Sequence, residues 1–386
     1  MDIKELVKKE RERIVQIRRD LHRIPEPGFK EKKTSKYIVD YINRLGFSAK
    51  SEIAGTGVMA LLETSRPGKT LMFRADMDAL PIEERTGLPF SSVHPGFMHA
   101  CGHDGHSAMV LGAFTILSQM SDRLKGSVKF VFQPAEEDPG GAKPMIEAGV
   151  MENPGVDYVA GCHLWPFIPE GKVGVRAGAV MAAMDRFDLE IRGKGGHGAM
   201  PHLCVDALEV GTQVVSALQR LVSRKNNPLK PVVLTVGSFH SGEAFNVISD
   251  KAVMSGTTRA FDYDVWHNWH KNMETVIKGI CEASGAQYLF DYKRGHPPVV
   301  NHPEMAELVR ECAVEVVGSD NVIEADPTMG GEDMAYFLER AKGCYFFLGT
   351  GFEGCSLLHS SGFNFNEEVL LSGVEIYLRL ALKLLS

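Results

Sequence analysis

The chain is 386 residues long, which suits two domains better than one core. Hydrophobic residues at 44% and charged residues at 24% describe an ordinary globular protein. The net charge of −7 lacks the basic excess that nucleic acid or an anionic membrane surface requires, so neither is an expected partner.

The start Met1-Asp2-Ile3-Lys4-Glu5 is charged and lacks the apolar centre of a signal peptide. No stretch approaches the roughly 18 uninterrupted apolar residues of a membrane span. Helical spacing runs from Ile3 to Ile24 and stops at Pro25-Glu26-Pro27-Gly28, with Lys8 to Arg13 as a wet face. A second helix is predicted over 35–45, closing at Gly46. Apolar runs at 58–62 and 70–74 read as strands, followed by a helix over 107–120 and a strand over 128–132. This alternation predicts a three-layer α/β domain.

From about Met184 the pattern changes. Residues 186–191 alternate as a half-buried strand does. A helix over 205–223, strands over 232–239 and 251–261, a helix over 265–284 and a strand over 287–292 follow. Two helices on an antiparallel sheet make a compact α+β unit, after which helix and strand resume. The expected division is therefore a discontinuous domain, 1–183 and 293–386, with 184–292 inserted in it. The seven cysteines are odd in number and show no CxxC spacing. They read as reduced thiols of a cytoplasmic protein.

Four scattered runs carry metal-binding chemistry: Cys101-Gly102-His103-Asp104, the acid pair Glu136-Glu137, His163 and His359. Together they offer a thiolate, three imidazoles and two carboxylates, more than one tetrahedral ion can use. The surplus suggests two metals sharing a bridge, with one carboxylate left for proton transfer. Adjacent glutamates diverge, so one can bind metal while its neighbour faces the attacking water. Each run has a plainer reading: a buried cysteine beside a turn histidine, a solvated acid pair, a core histidine, a loop histidine. The combination points to a hydrolase, with the runs placed beyond the carboxyl ends of strands. Cys101 and His103 are expected in the loop before the helix at 107.

In this order the runs resemble the two-metal amidohydrolases and carboxypeptidases, a family that includes aminoacylases, hippurate hydrolase and auxin-conjugate hydrolases. The resemblance spans nearly the whole chain. It is carried by residues 18–26 (Arg18 to Glu26), Arg74-Ala75-Asp76-Met77-Asp78-Ala79-Leu80-Pro81, His99 to His106, the Glu136-Glu137 run, residues 193–202 and Gly330-Gly331-Glu332-Asp333. The Cys-Gly-His-Asp run resembles the hippurate-hydrolase and auxin-conjugate branch. The resemblance implies that Cys101 bridges two divalent ions, zinc foremost, with manganese, nickel or cobalt as alternatives. His103 and His163 would complete one ion, and Glu137 and His359 the other. Asp76, His99 and His106 are not expected as ligands, while Asp78 would orient one from behind.

Glu136 would be the general base and acid. The inserted unit would be a lid and dimerisation domain, so a homodimer is expected. Within it His197 would support the oxyanion, and Asn246 and Arg259 would hold the substrate carboxylate. Gly330 and Gly331 would let backbone approach the substrate. The implied reaction is hydrolysis of the amide of an N-acyl amino acid. Alternatives are a carboxypeptidase on short or N-blocked peptides and an N-acetyl-diaminopimelate deacetylase. A cysteine hydrolase using Cys101 with His103, or an inactive binding protein, are readings from other classes. The sequence leaves open the acyl group, the amino acid, the native metal and whether the lid closes.

Overall fold

The structure, a computed structural model, describes residues 2–386. The chain divides into two compact units: Met1–Gly178 with Val300–Asp326 and Asp333–Ser386, and Ala179–Val299 with Pro327–Glu332.

The larger unit is three-layer α/β, built on an eight-stranded sheet. In spatial order its strands are Ala49–Ile53, Gly57–Glu63, Ser127–Gln133, Thr70–Asp76, Tyr158–Pro169, Lys342–Gly351, Val173–Val175 and Val322–Glu324. The four central strands, from Ser127–Gln133 to Lys342–Gly351, are parallel, so their carboxyl ends share one edge. The chain leaves Thr70–Asp76 to one side for Ser127–Gln133 and returns to the other for Tyr158–Pro169. That reversal is where open α/β sheets collect ligands. Thr70–Asp76 and Ser127–Gln133 bury every residue, which is why they read as apolar runs.

Helices Lys32–Arg44, His103–Ser118, Pro303–Val317 and Val369–Leu385 pack on the sheet. His103–Ser118 is buried from His103 to Leu117. A helix apolar on all sides belongs inside a large core. Its fold departs from the sequence expectation at the first turn. Gly102 holds φ 86°, a conformation open to glycine, and the helix begins at His103 rather than 107. The polar His103-Asp104-Gly105-His106 stretch had masked that turn. The first expected helix is also two, Ile3–Lys9 and Arg11–His22, broken at Glu10. The break lies in the exposed charge run, while Val7 and Ile14 on either side are buried.

The second unit carries a four-stranded antiparallel sheet in the order Val232–Ser241, Lys251–Ala260, Ala183–Arg192, Gln287–Arg294. Helices Ala207–Arg220 and Tyr263–Ser284 bury Val210, Val214, Leu218, Trp269, Met273 and Ile277 against Phe187, Leu189 and Ile191. Asp206 caps the first of these helices by accepting from the N–H groups of Leu208 and Glu209. The unit is longer than the expected 184–292. The Ala182 N–H bonds Thr328 O at 3.1 Å and Gly330 O at 3.0 Å, so Pro327–Glu332 folds with it. A loop returning from so far along the chain has no local sequence signal. No helix among the described residues is long and apolar enough to cross a membrane.

Candidate metal centre

The site forms where the parallel strands end. Thr70–Asp76 leads to Asp78, Ser127–Gln133 leads to Glu136 and Glu137, Tyr158–Pro169 carries His163, and Lys342–Gly351 leads into the loop of His359. The left-handed Gly102 places Cys101 before the helix and His103 on its first residue.

These elements bring the chemistry together. Cys101 Sγ lies 3.5 Å from His163 Nε2, and ligand atoms of Cys101, His103 and His163 all lie within 4.8 Å of one another. Cys101, Glu137 and His359 form a second such group, and His103, Glu136 and Glu137 a third. Cys101, His103 and Glu137 thus each belong to two of these groups. His359 Nε2 is 2.9 Å from Glu137 Oε1, though without the alignment of a hydrogen bond. Glu136 Oε2 is 3.9 Å from His103 Nε2. Ala135, next to the acid pair, and His359, within the second group, sit in the left-handed region at φ 52° and φ 59°. Strain of that kind gathers at functional sites.

Hydrogen bonds behind the site set the imidazole tautomers. His163 Nδ1–H donates to Leu164 O at 2.7 Å. His103 Nδ1–H donates to Asp78, 3.0 Å from Oδ1 and 3.0 Å from the backbone oxygen. Each ring therefore turns its Nε2 lone pair inward, and His103 Nε2 is buried with no hydrogen-bond partner. Asp78 Oδ2 also accepts the Glu137 N–H at 3.1 Å.

The electrostatics fit a cation. Burial, with Glu137, Glu136 and Asp76 close by, pushes the Cys101 thiol far up. A thiol in that setting stays protonated, a weak nucleophile, unless positive charge stands beside it. Burial pulls the His103 ring down, but Asp76, Asp78 and Glu137 outweigh it and raise it to about 10. The same carboxylates would favour a metal ion in place of that proton. Burial and neighbouring His106 hold His163 far down, in the neutral form that ligates. Thiol, inward-facing imidazoles and carboxylates form a donor set of the kind divalent zinc takes.

Asp76, His103 and His106 also cluster. His106 and Asp76 are nonetheless engaged elsewhere. His106 Nδ1–H donates to Asp76 Oδ1 at 2.6 Å while its Nε2 accepts the Leu164 N–H at 2.9 Å. Asp76 Oδ2 accepts from Arg74 Nη1 at 2.8 Å. These residues brace the strand of His163. His99 is buried with neither ring nitrogen hydrogen-bonded, and burial lowers it to about 4.

Sequence reasoning missed a second brace. Asp333 accepts from Gln133 Nε2 at 2.7 Å, from Arg74 Nη2 at 3.0 Å, and from the N–H groups of Gly141 and Ala142 at 2.9 Å each. Its carboxylate thereby closes both ends of the loop that carries Glu136 and Glu137. An arginine and a glutamine inside otherwise apolar strands were the available signal.

The remaining expected site residues, His197, Asn246, Arg259, Gly330 and Gly331, lie in the second unit. His197 pairs with Val247 in a two-residue ladder, is exposed, and accepts the Ala199 N–H on Nδ1 at 3.0 Å. The neighbouring Asn246 is exposed, and its carbonyl accepts the Gly198 N–H at 2.8 Å. Arg259 is half-buried on the strand Lys251–Ala260 and donates to Thr258 O at 3.1 Å. Gly330 O holds the Ala182 N–H. A Cβ on Gly331 would meet His296 Nε2 at 2.4 Å, so a structural contact within this unit already calls for glycine there.

A family model described as peptidase family M20/M25/M40 matches residues 72–383. The chain belongs to that family. An N-acyl-L-amino acid amidohydrolase of Geobacillus stearothermophilus is 47% identical over 304 residues, covering 78% of this chain and 82% of the relative. Thermostable carboxypeptidase 1 of Saccharolobus solfataricus is 41% identical, covering 96% and 95%. Among solved structures, the YXEP protein of Bacillus subtilis, described as a dinuclear metal-binding peptidase of the M20 family, superposes with a TM-score of 0.85. It is 34% identical, with 98% of this chain and 99% of that one covered. As an M20/M25/M40 family member, the chain is an enzyme, a metal-dependent amidohydrolase or peptidase.

Proposed function

We propose that this enzyme hydrolyses the amide of N-acyl amino acids, releasing a carboxylic acid and a free amino acid. One observation carries the reading: a buried thiol, the inward-facing Nε2 atoms of His103 and His163, and the carboxylates of Glu136 and Glu137 converge on one spot. In this reading Cys101, His103 and His163 would hold one divalent ion, and Cys101, Glu137 and His359 would hold a second. Zinc suits these ligands best, with manganese, nickel or cobalt as alternatives. The ions supply Lewis-acid polarisation of water and carbonyl.

The protein's own groups carry the protons. Glu136 takes a proton from the attacking water and hands it to the amide nitrogen as the C–N bond breaks, turning a poor leaving group into an amine. Asp78 holds the His103 ring in its ligating tautomer. His197 is assigned to the developing oxyanion and Asn246 and Arg259 to the substrate carboxylate, for which a planar guanidinium is apt. Gly330 and Gly331 are assigned to backbone contact with substrate. We further read residues 184–292 as the core of a lid through which the enzyme forms a homodimer. The seven cysteines stand as free thiols, which suits the cytoplasm.

A second reading, a carboxypeptidase on short peptides, draws on the similarly close Saccharolobus solfataricus relative. Both reactions break an amide beside a free carboxylate. The test is metal content of the purified protein, with turnover of N-acetyl and N-benzoyl amino acids and of short peptides before and after chelation. About two ions per chain and chelator-sensitive turnover of acyl amino acids are expected. Preference for peptides would favour the second reading. Activity that survives full metal removal and is lost on alkylating Cys101 would overturn both.

A further inference from the structure

The helix stop at Pro25-Glu26-Pro27-Gly28 continues through Phe29-Lys30-Glu31, and the turn so formed packs against the loop that carries the acid pair. Glu31 is fully buried. It stands at the N-cap of Lys32–Arg44 but makes no cap bond there. Instead its Oε1 accepts the Ala135 N–H at 2.9 Å and its Oε2 accepts Thr56 Oγ1–H at 2.6 Å. A buried carboxylate is thus withheld from its own helix and given to a loop 104 residues away.

Ala135 needs such a partner. It is buried and left-handed at φ 52°, a conformation that residues with a Cβ adopt rarely. Its N–H is fixed by Glu31, and its carbonyl accepts the Gly140 N–H at 3.0 Å. The turn also fits this loop by shape. A Cβ on Gly28 would meet Asp138 O at 2.4 Å and Ala135 Cβ at 2.8 Å. The same turn holds the other side of the site, because Glu26 O accepts the Ala79 N–H at 2.9 Å next to Asp78. Glu26 Oε2 ties the turn to the helix through the N–H groups of Lys33 and Thr34, at 2.8 and 3.0 Å.

We infer that the Pro25–Glu31 turn is a clamp that sets the position of Glu136 and Glu137, with Glu31 as its positioning residue. The inference rests on the two-metal hydrolase reading above. Proton transfer demands close placement of the base, and a displacement of about 1 Å costs on the order of 100-fold in rate. Glu31 touches neither substrate nor metal in this account. It acts through Ala135.

The test uses the full-length, metal-loaded enzyme and the variants Glu31→Met, Glu31→Gln and Thr56→Val. The readouts are kcat, KM, metal per chain and amide exchange across residues 133–141. Glu31→Met is expected to lower kcat about 100-fold with KM moved less than about threefold. At saturating metal the metal content should hold, and exchange should quicken in 133–141 while the helix Tyr263–Ser284 stays unchanged. Glu31→Gln keeps an oxygen that accepts the Ala135 N–H and should recover most of the loss. If Glu31→Met does not fold, Thr56→Val carries the test, with a smaller drop in kcat and faster exchange in the same segment. Wild-type kcat and exchange in the folded variants, or exchange quickened equally everywhere, would overturn the clamp. A wild-type enzyme inactive on every amide would instead sink the parent reading, and the exchange data would still judge the clamp.

Discussion

Asp78 holds the ring of His103 by Nδ1–H, 3.0 Å from its carboxylate and 3.0 Å from its backbone oxygen. The second carboxylate oxygen of Asp78 accepts the N–H of Glu137. One residue therefore aims an imidazole and anchors an acidic loop. Orientation of this kind is what lets a ligand bind without first searching its rotamers.

Replacing Asp78 with alanine should weaken metal binding about 10–100-fold. Competition with a chelator of known affinity checks it. Affinity equal to wild type would show that packing alone aims His103.

Glu136→Gln separates base from ligand. Turnover should fall by about 10²–10⁴-fold, the usual contribution of a general base, with metal content unchanged. Loss of metal in parallel with rate would move Glu136 into the ligand set and contradict the division of labour with Glu137.

The buried cluster around His22 predicts a pH window. His22 lies 2.7 Å from Asp104 and 3.2 Å from Glu84. Burial pushes Glu84 up, but hydrogen bonds from His22, Thr86 and Ser92 outweigh it and bring it from 4.5 to about 2. A depressed carboxylate stabilises the fold above its unfolded value, and that contribution fades as pH falls from about 4.5 toward about 2. Burial lowers His22, but Asp104 and Glu84 raise it above 6.5 overall. Its contribution is full below about 6.5 and fades as pH climbs through the raised value. Stability from this cluster should therefore peak between about pH 5 and 6.5. Urea midpoints of wild type and Glu84→Gln from pH 3 to 8 provide the check. The variant should lose part of the acid-side slope, and identical slopes would remove Glu84 from the account.

Asp333→Leu takes one acceptor from Gln133, Arg74, Gly141 and Ala142 together. Breaking a buried charged network this way costs about 3–5 kcal/mol. Denaturant unfolding should show it, with Asp333→Asn milder because one oxygen remains. A loss below about 1 kcal/mol would mean that water replaces the carboxylate.

The strands that carry the site were legible because they are short apolar runs bounded by turn residues. The second unit was legible because residues 186–191 alternate in polarity. His103 was misplaced into a loop, since a polar first turn hides a helix whose start depends on the backbone of Gly102. The partners of the braces were invisible for a different reason. Glu31 to Ala135 spans 104 residues and Arg74 to Asp333 spans 259, and no local period records such pairs.

By itself, the sequence determined the alternation of elements and the inventory of donors: one thiol, three imidazoles and two adjacent carboxylates on strand-end runs. Periodicity and side-chain chemistry are local properties, readable from a single chain. Only the tertiary structure decided that Cys101, His103 and Glu137 each stand in more than one donor group and that His106 and Asp76 are engaged behind the site. It also decided that His103 presents Nε2 inward. Those outcomes depend on which buried polar group finds which partner. Parallel strands settle that by bringing distant ends to one edge, where desolvated donors and acceptors compete for the partners within reach.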